Sequence, residues 1–172
     1  MEAPALIGAL DRFGRSLPAL LAGLPTDDAD WRPEDRAWSI AEIVQHLADE
    51  EVLDFRARLQ RTLEDPSAEW APIDPEGTAR AARKHGIVLR SALDRFSSAR
   101  RDSITWLRSL DSVDWSVPHV HPEFGAIHAG DLLAAWADHD ALHLRQIAKR
   151  LHQRVVERAS GYSTAYAGDW IA

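Results

Sequence analysis

Apolar residues recur at three- and four-residue steps in four segments of this chain, and no segment alternates long enough to read as a strand. The first predicted helix spans residues 3–24, with Leu6, Leu10, Phe13, Leu17, Leu20 and Leu24 on one stripe. The second opens at Ser39, with Glu42 three residues later. That spacing is a capping box set directly before an apolar run, Ile43, Val44, Leu47, Phe55 and Leu59, which ends near residue 63. The third is the longest, residues 78–110, with Ala82, Leu89, Leu93, Phe96, Ile104 and Leu107. The fourth spans residues 129–152. An all-α bundle is the predicted class.

The connections refine this picture. EDPSAEWAPIDPEG, between the second and third helices, holds Pro66, Pro72 and Pro75 and is too long for a tight hairpin. A connection of that length can climb the side of a bundle and leave its two helices parallel. The linker before the fourth helix, DSVDWSVPHVHPEFGAIH, is rich in aromatic residues and histidine, the kind of loop on which a scaffold carries specificity. The domain is therefore expected to occupy residues 1–152. The tail, 153–172, with Tyr162, Tyr166, Trp170 and Ile171, is expected to pack on the bundle or on a partner subunit.

Composition narrows the classes. The 172 residues suffice for one core without staples. No cysteine is present, which removes disulfides, cysteine-based zinc sites and a cysteine nucleophile, and fits a reducing cytoplasm. The first residues lack the basic start of a signal peptide, and no apolar run is long enough to span a membrane. A net charge of −7 argues against a nucleic-acid partner. Arg80, Arg83, Lys84 and Arg90 read as solvated helix faces.

The candidate chemistry lies in WADHDALHLRQI. On a helical wheel His139 and His143 fall within the stripe of Leu132, Trp136 and Ile147, while Asp138, Ala141, Arg145 and Lys149 face the other way. Imidazoles facing a core need partners. The two readings are a hydrogen-bonded core pair or two ligands of one metal ion, since i and i+4 side chains project together. A catalytic site needs a third ligand, and His46 lies at the edge of the second helix's stripe. Glu50, one turn further, is a candidate fourth ligand, partner of His46, general base or merely a solvated acid. The other histidines rank lower: His119 and His121 as exposed loop residues, His85 as a core residue, His128 as an imperfect N-cap and His152 as a helix end. Arg100 interrupts the third stripe, where snorkelling to solvent is the usual explanation.

Two blocks, DWRPEDRAWSIAEIVQHLADEE and FGAIHAGDLLAAWADHDALHLRQI, resemble the DinB-like (DinB/YfiT-like) four-helix-bundle metalloproteins in content and order. The resemblance implies an up-down-down-up bundle with a long crossover between helices two and three, often dimeric. It also implies a metal triad of His46, His139 and His143 holding zinc, nickel or another divalent ion. The family resembled includes hydrolases and transferases that use low-molecular-weight thiols, so a metal-dependent enzyme acting on a small molecule is expected. A metal- or ligand-binding bundle without turnover, and a structural dimer with a vestigial site, are the alternatives.

Overall fold

In the computed structural model, which describes residues 2–74, 77, 80 and 83–170, three of the long helices start where a local feature frees or satisfies their first amides. Helix α1, Ala3–Leu20, carries a proline in its first turn, where a missing N–H costs nothing. A short α2, Thr26–Ala29, follows. Helix α3, Ile40–Glu50, is capped as the sequence predicts: Glu42 N–H donates to Ser39 Oγ at 3.2 Å, and Ser39 N–H donates to Glu42 Oε2 at 2.7 Å. Arg32 and Arg83 close on the same carboxylate, so Arg83 is ion-paired while remaining exposed. Without a break, α3 passes through a π-helical turn, Glu51–Phe55, into α4, Arg56–Glu64.

Helix α5 is Leu89–Ser109, shorter than predicted. Residues 83–85 are helical, but Gly86 takes φ +77° and the chain stays non-helical to Val88. Thr78 and Ala82, at the predicted start, lie outside the described residues. The absence of strands also needs correction. Strands β1, Pro118–His121, and β2, Gly125–His128, pair antiparallel with His119 opposite Ile127. Four-residue strands are too short for a period-two pattern to stand out, and their turn depends on Gly125 at φ +72°. Helix α6, Ala129–Arg158, outruns its predicted end by six residues, because no glycine follows before Gly161. His152 is consequently inside the helix rather than at its end, and Trp170 returns to stack on it at 5.0 Å.

The long helices form a four-helix bundle with two apolar clusters. One joins Leu17 and Leu21 of the α1 end to Ile43 and Leu47 of α3, Leu93 and Phe96 of α5 and Ile147 of α6. The other joins Leu10 of α1 to Leu59 of α4, Ile104 and Leu107 of α5, and Leu133 and Trp136 of α6. Shared ends set direction: α1 and α6 run one way, while α3–α4 and α5 run the other. The connection between α4 and α5 therefore climbs the bundle.

Between the clusters lies a charged layer. Arg100 is only 3% exposed and does not snorkel. Its Nε and Nη2 donate to Glu51 at 2.9 and 2.8 Å, and its Nη1 and Nη2 donate to Asp140 at 2.6 and 2.9 Å. Nη1 also donates to the Leu10 carbonyl at 2.9 Å, and Trp136 Nε1 donates to Glu51 at 3.0 Å. Gly14 makes room, since a Cβ there would stand 2.6 Å from Arg100 Cγ. Replacing Arg100 with Met leaves two buried carboxylates unpaired. The expected loss is about 3–5 kcal/mol, read by urea unfolding, with partial recovery when Glu51 and Asp140 are made apolar as well.

Candidate metal centre

The capping box sets the phase of α3 and places His46 two turns into it, at the edge of the buried face. His139 and His143 project one turn apart from the middle of α6. The fold brings these three residues together. His46 Nε2 lies 3.3 Å from His139 Nε2, which lies 3.0 Å from His143 Nε2. One ligand atom from each falls within 4.8 Å of the other two. Trp38 closes one side with its ring against His46 at 4.8 Å, and Phe55 closes another against His139 at 4.9 Å.

Burial holds the three rings neutral. His46 is pushed down to about 4 by burial and then by His143, and His139 to about 3 by burial and then by His143 and His46. His143 is also lowered, mainly by burial. A neutral imidazole nitrogen offers either one N–H or one lone pair. Nε2 of His139 thus cannot serve both neighbours well through hydrogen bonds, so the cluster is under-satisfied as a core pair. It suits a cation: nitrogens bound at about 2.0–2.1 Å in a tetrahedron stand about 3.3 Å apart, close to both separations.

The outer nitrogens support this direction. His143 Nδ1 lies 2.8 Å from Gln146 Oε1, and donation to that carbonyl leaves the lone pair on Nε2. Glu50 is not among the converging groups. Its carboxylate lies behind His46, 3.7 Å from Nδ1, on the opposite ring nitrogen from the cluster. Burial, then Asp54, pushes Glu50 up to about 8.

The remaining histidines stand elsewhere. His119 is 6% exposed, not an exposed loop residue: it stacks on Trp70 at 4.0 Å, with Nδ1 3.1 Å from the Pro66 carbonyl. His121 accepts from the backbone amides of Glu123 and Phe124. His85 is exposed rather than in the core. His128 N–H donates to Asp131 at 2.8 Å as α6 begins. Sequence reasoning missed Glu51, Asp140, Gln146, Trp38 and Arg150. Glu51 and Asp140 did carry a signal, as opposite charges to Arg100 lying at stripe positions on other helices. A cavity of about 540 Å³ opens beside His143 between α6 and Trp170. A larger one, about 620 Å³, lies between the α1 end and the α5 start and touches none of the three histidines.

Residues 9–147 match the model of the DinB superfamily. None of the curated proteins matches by sequence. Among solved structures, the chain is similar to YfiT from Bacillus subtilis, described as a probable metal-dependent hydrolase with an unusual four-helix bundle topology. The TM-score is 0.77 at 18% identity, covering 94% of this chain and 89% of that one.

A pH dependence follows from the buried rings. Below the ordinary value of 6.5 the unfolded chain takes up protons that the folded chain refuses. The histidine contribution to stability is whole above 6.5 and is lost as pH falls through about 4 for His46 and about 3 for His139. Glu50, raised to about 8, and Asp140, raised to about 6 chiefly by burial, act in the opposite sense and weaken the fold as pH rises through those values. The carboxylates also titrate between pH 7 and 4, so urea unfolding of metal-free protein over that range isolates the His139 part only by comparison with His139→Asn, which keeps them. The native chain is expected to lose more stability over that range than His139→Asn, and equal slopes would refute neutral burial of the rings.

Proposed function

Because the chain belongs to the DinB superfamily, we propose that it is a metal-dependent enzyme that acts on a small molecule at the His46, His139 and His143 cluster. The convergence of three neutral Nε2 atoms carries this reading. The three imidazoles would hold a divalent ion, with zinc or nickel favoured by an all-nitrogen donor set. When bound, the ion supplies Lewis acidity, which lowers the pKa of a nucleophile and polarises the bond under attack.

The protein's own groups prepare the site. Gln146 accepts the Nδ1 proton of His143 and keeps its Nε2 lone pair inward. Glu50, on the Nδ1 side of His46, is placed to do the same for that ring once the 3.7 Å separation shortens. This placement supports a positioning role for Glu50 better than that of ligand or general base. Trp38 and Phe55 exclude water from two sides.

Hydrolysis is the first reading, in line with the description of YfiT. Transfer from a low-molecular-weight thiol is the second, and with no cysteine in the chain the thiol must come from solution. A homodimer in the cytoplasm completes the proposal, on the family resemblance and the cysteine-free composition. Among the described residues no helix is long and apolar enough to cross a membrane.

Metal analysis of the purified protein tests the site. About one ion per chain is expected, falling below about a tenth of that in His46→Ala; unchanged content would refute the triad. Gln146→Leu is expected to weaken metal affinity by about 10–100-fold in chelator competition, with Gln146→Glu restoring it. Ester and amide substrates, then thiols with an electrophile, separate the two reactions. Turnover of neither by metal-loaded protein favours a binding bundle without catalysis.

A further inference from the structure

Three cations and no acid line the cavity beside His143 among the described residues. Arg145 and Lys149 stand one turn apart on α6, and Arg150 adjoins them. None of the three has a carboxylate oxygen within 4.0 Å among the described residues. Shortage of acids is not the reason, since the chain holds 27 acidic residues against 20 basic ones. Several arginines elsewhere pair closely with carboxylates, Arg32 and Arg83 with Glu42, Arg95 with Asp49, Arg100 with Glu51 and Asp140, and Arg154 with Asp28, whereas the exposed Arg12, Arg36 and Arg101 have no such ion pair among the described residues.

Arg150 is the most telling of them. It is 8% exposed, yet its fixed partners are neutral: Nε donates to the Trp38 carbonyl and Nη1 to Gln153 Oε1, both at 2.8 Å. A buried guanidinium ordinarily takes a carboxylate, as Arg100 does. Here the charge is held in place by neutral partners at a cavity wall, and Glu34 acts on it only through space without a close ion pair. Arg145 and Lys149, like charges at i and i+4, repel each other along the same wall. Trp170, brought back by the tail to stack on His152, supplies an apolar face opposite them, with Leu142 beside it. At about 540 Å³ the cavity has the size of a small-molecule site.

We infer that this cavity is a substrate pocket for small molecules bearing a carboxylate or phosphate, held by Arg145, Lys149 and Arg150 with an apolar portion against Trp170. The assignment to substrate rests on the proposed metal centre, whereas anion binding itself does not. Arg145, Lys149 and Arg150 lie two, six and seven residues beyond His143, so an acidic group held among them sits roughly 3–10 Å along the helix from that histidine. The reacting bond and the acidic group of the substrate are accordingly separated by several bonds. The C-terminal tail becomes part of the binding site, because it carries the aromatic wall.

The test uses the full chain stripped of metal. It is titrated with 3-phenylpropanoate, phenylphosphonate and the neutral 3-phenylpropanol, and followed by the Trp170 indole N–H signal in NMR, assigned with Trp170→Phe. At least one acid is expected to bind saturably and about tenfold or more tightly than the alcohol. The tighter acid identifies carboxylate or phosphate as the preferred group. The double variant Arg145→Gln/Lys149→Gln alters exposed residues, avoids the structural bonds of Arg150, and is expected to remove most of the acid preference. Equal affinity for acids and alcohol, no saturable acid binding, or full preference in the double variant would overturn the inference. Zinc uptake by the same sample, measured separately, keeps the two readings apart. Acid binding without zinc uptake removes the metal centre and leaves the anion pocket, and zinc uptake without acid preference does the reverse.

Discussion

The fold is organised around one buried guanidinium. Arg100 spends all five of its N–H donors on Glu51, Asp140 and the Leu10 carbonyl, and so ties α5 to the other three long helices at one level of the bundle. Apolar clusters lie above and below this layer and would tolerate small slips of one helix along another. The charged layer does not, because a slip would leave a charge buried without its partner. Its contribution is therefore to register more than to net stability. Gly14 belongs to the same device, since a larger residue there would meet the arginine stem.

The histidine cluster inherits its geometry from that layer. His139 precedes Asp140 in α6, and His46 lies just over one turn before Glu51 in α3. Once Glu51 and Asp140 are clamped to one arginine, the imidazoles on the neighbouring positions are brought to the same height from facing helices. The π-helical turn beginning at Glu51 then turns Phe55 against His139. Burial does the rest by keeping all three rings neutral, the state in which an imidazole lends a lone pair.

The two faces of α6 divide the labour. The inward face carries the donors and the charged layer, and the adjoining face carries Arg145, Lys149 and Arg150 beside Trp170 of the returning tail. At 18% identity to YfiT the likeness is one of fold alone, so the details that would distinguish this chain's chemistry lie in residues such as Arg145, Lys149, Arg150 and Trp170.

Much of this was legible in the residues themselves. The 3.6-residue stripes gave the four helices, Ser39 and Glu42 located the start of the second, and the inward phase of His139 and His143 marked the site, because helical periodicity is a local property of the chain. His46 could be nominated on the same ground. Its distance from the pair, the burial of His119 on Trp70 and the pairing of Arg100 could not. Each depends on which helices face each other and at what height. Those relations are set by long-range contacts between residues 40 to 112 positions apart, which no local pattern encodes.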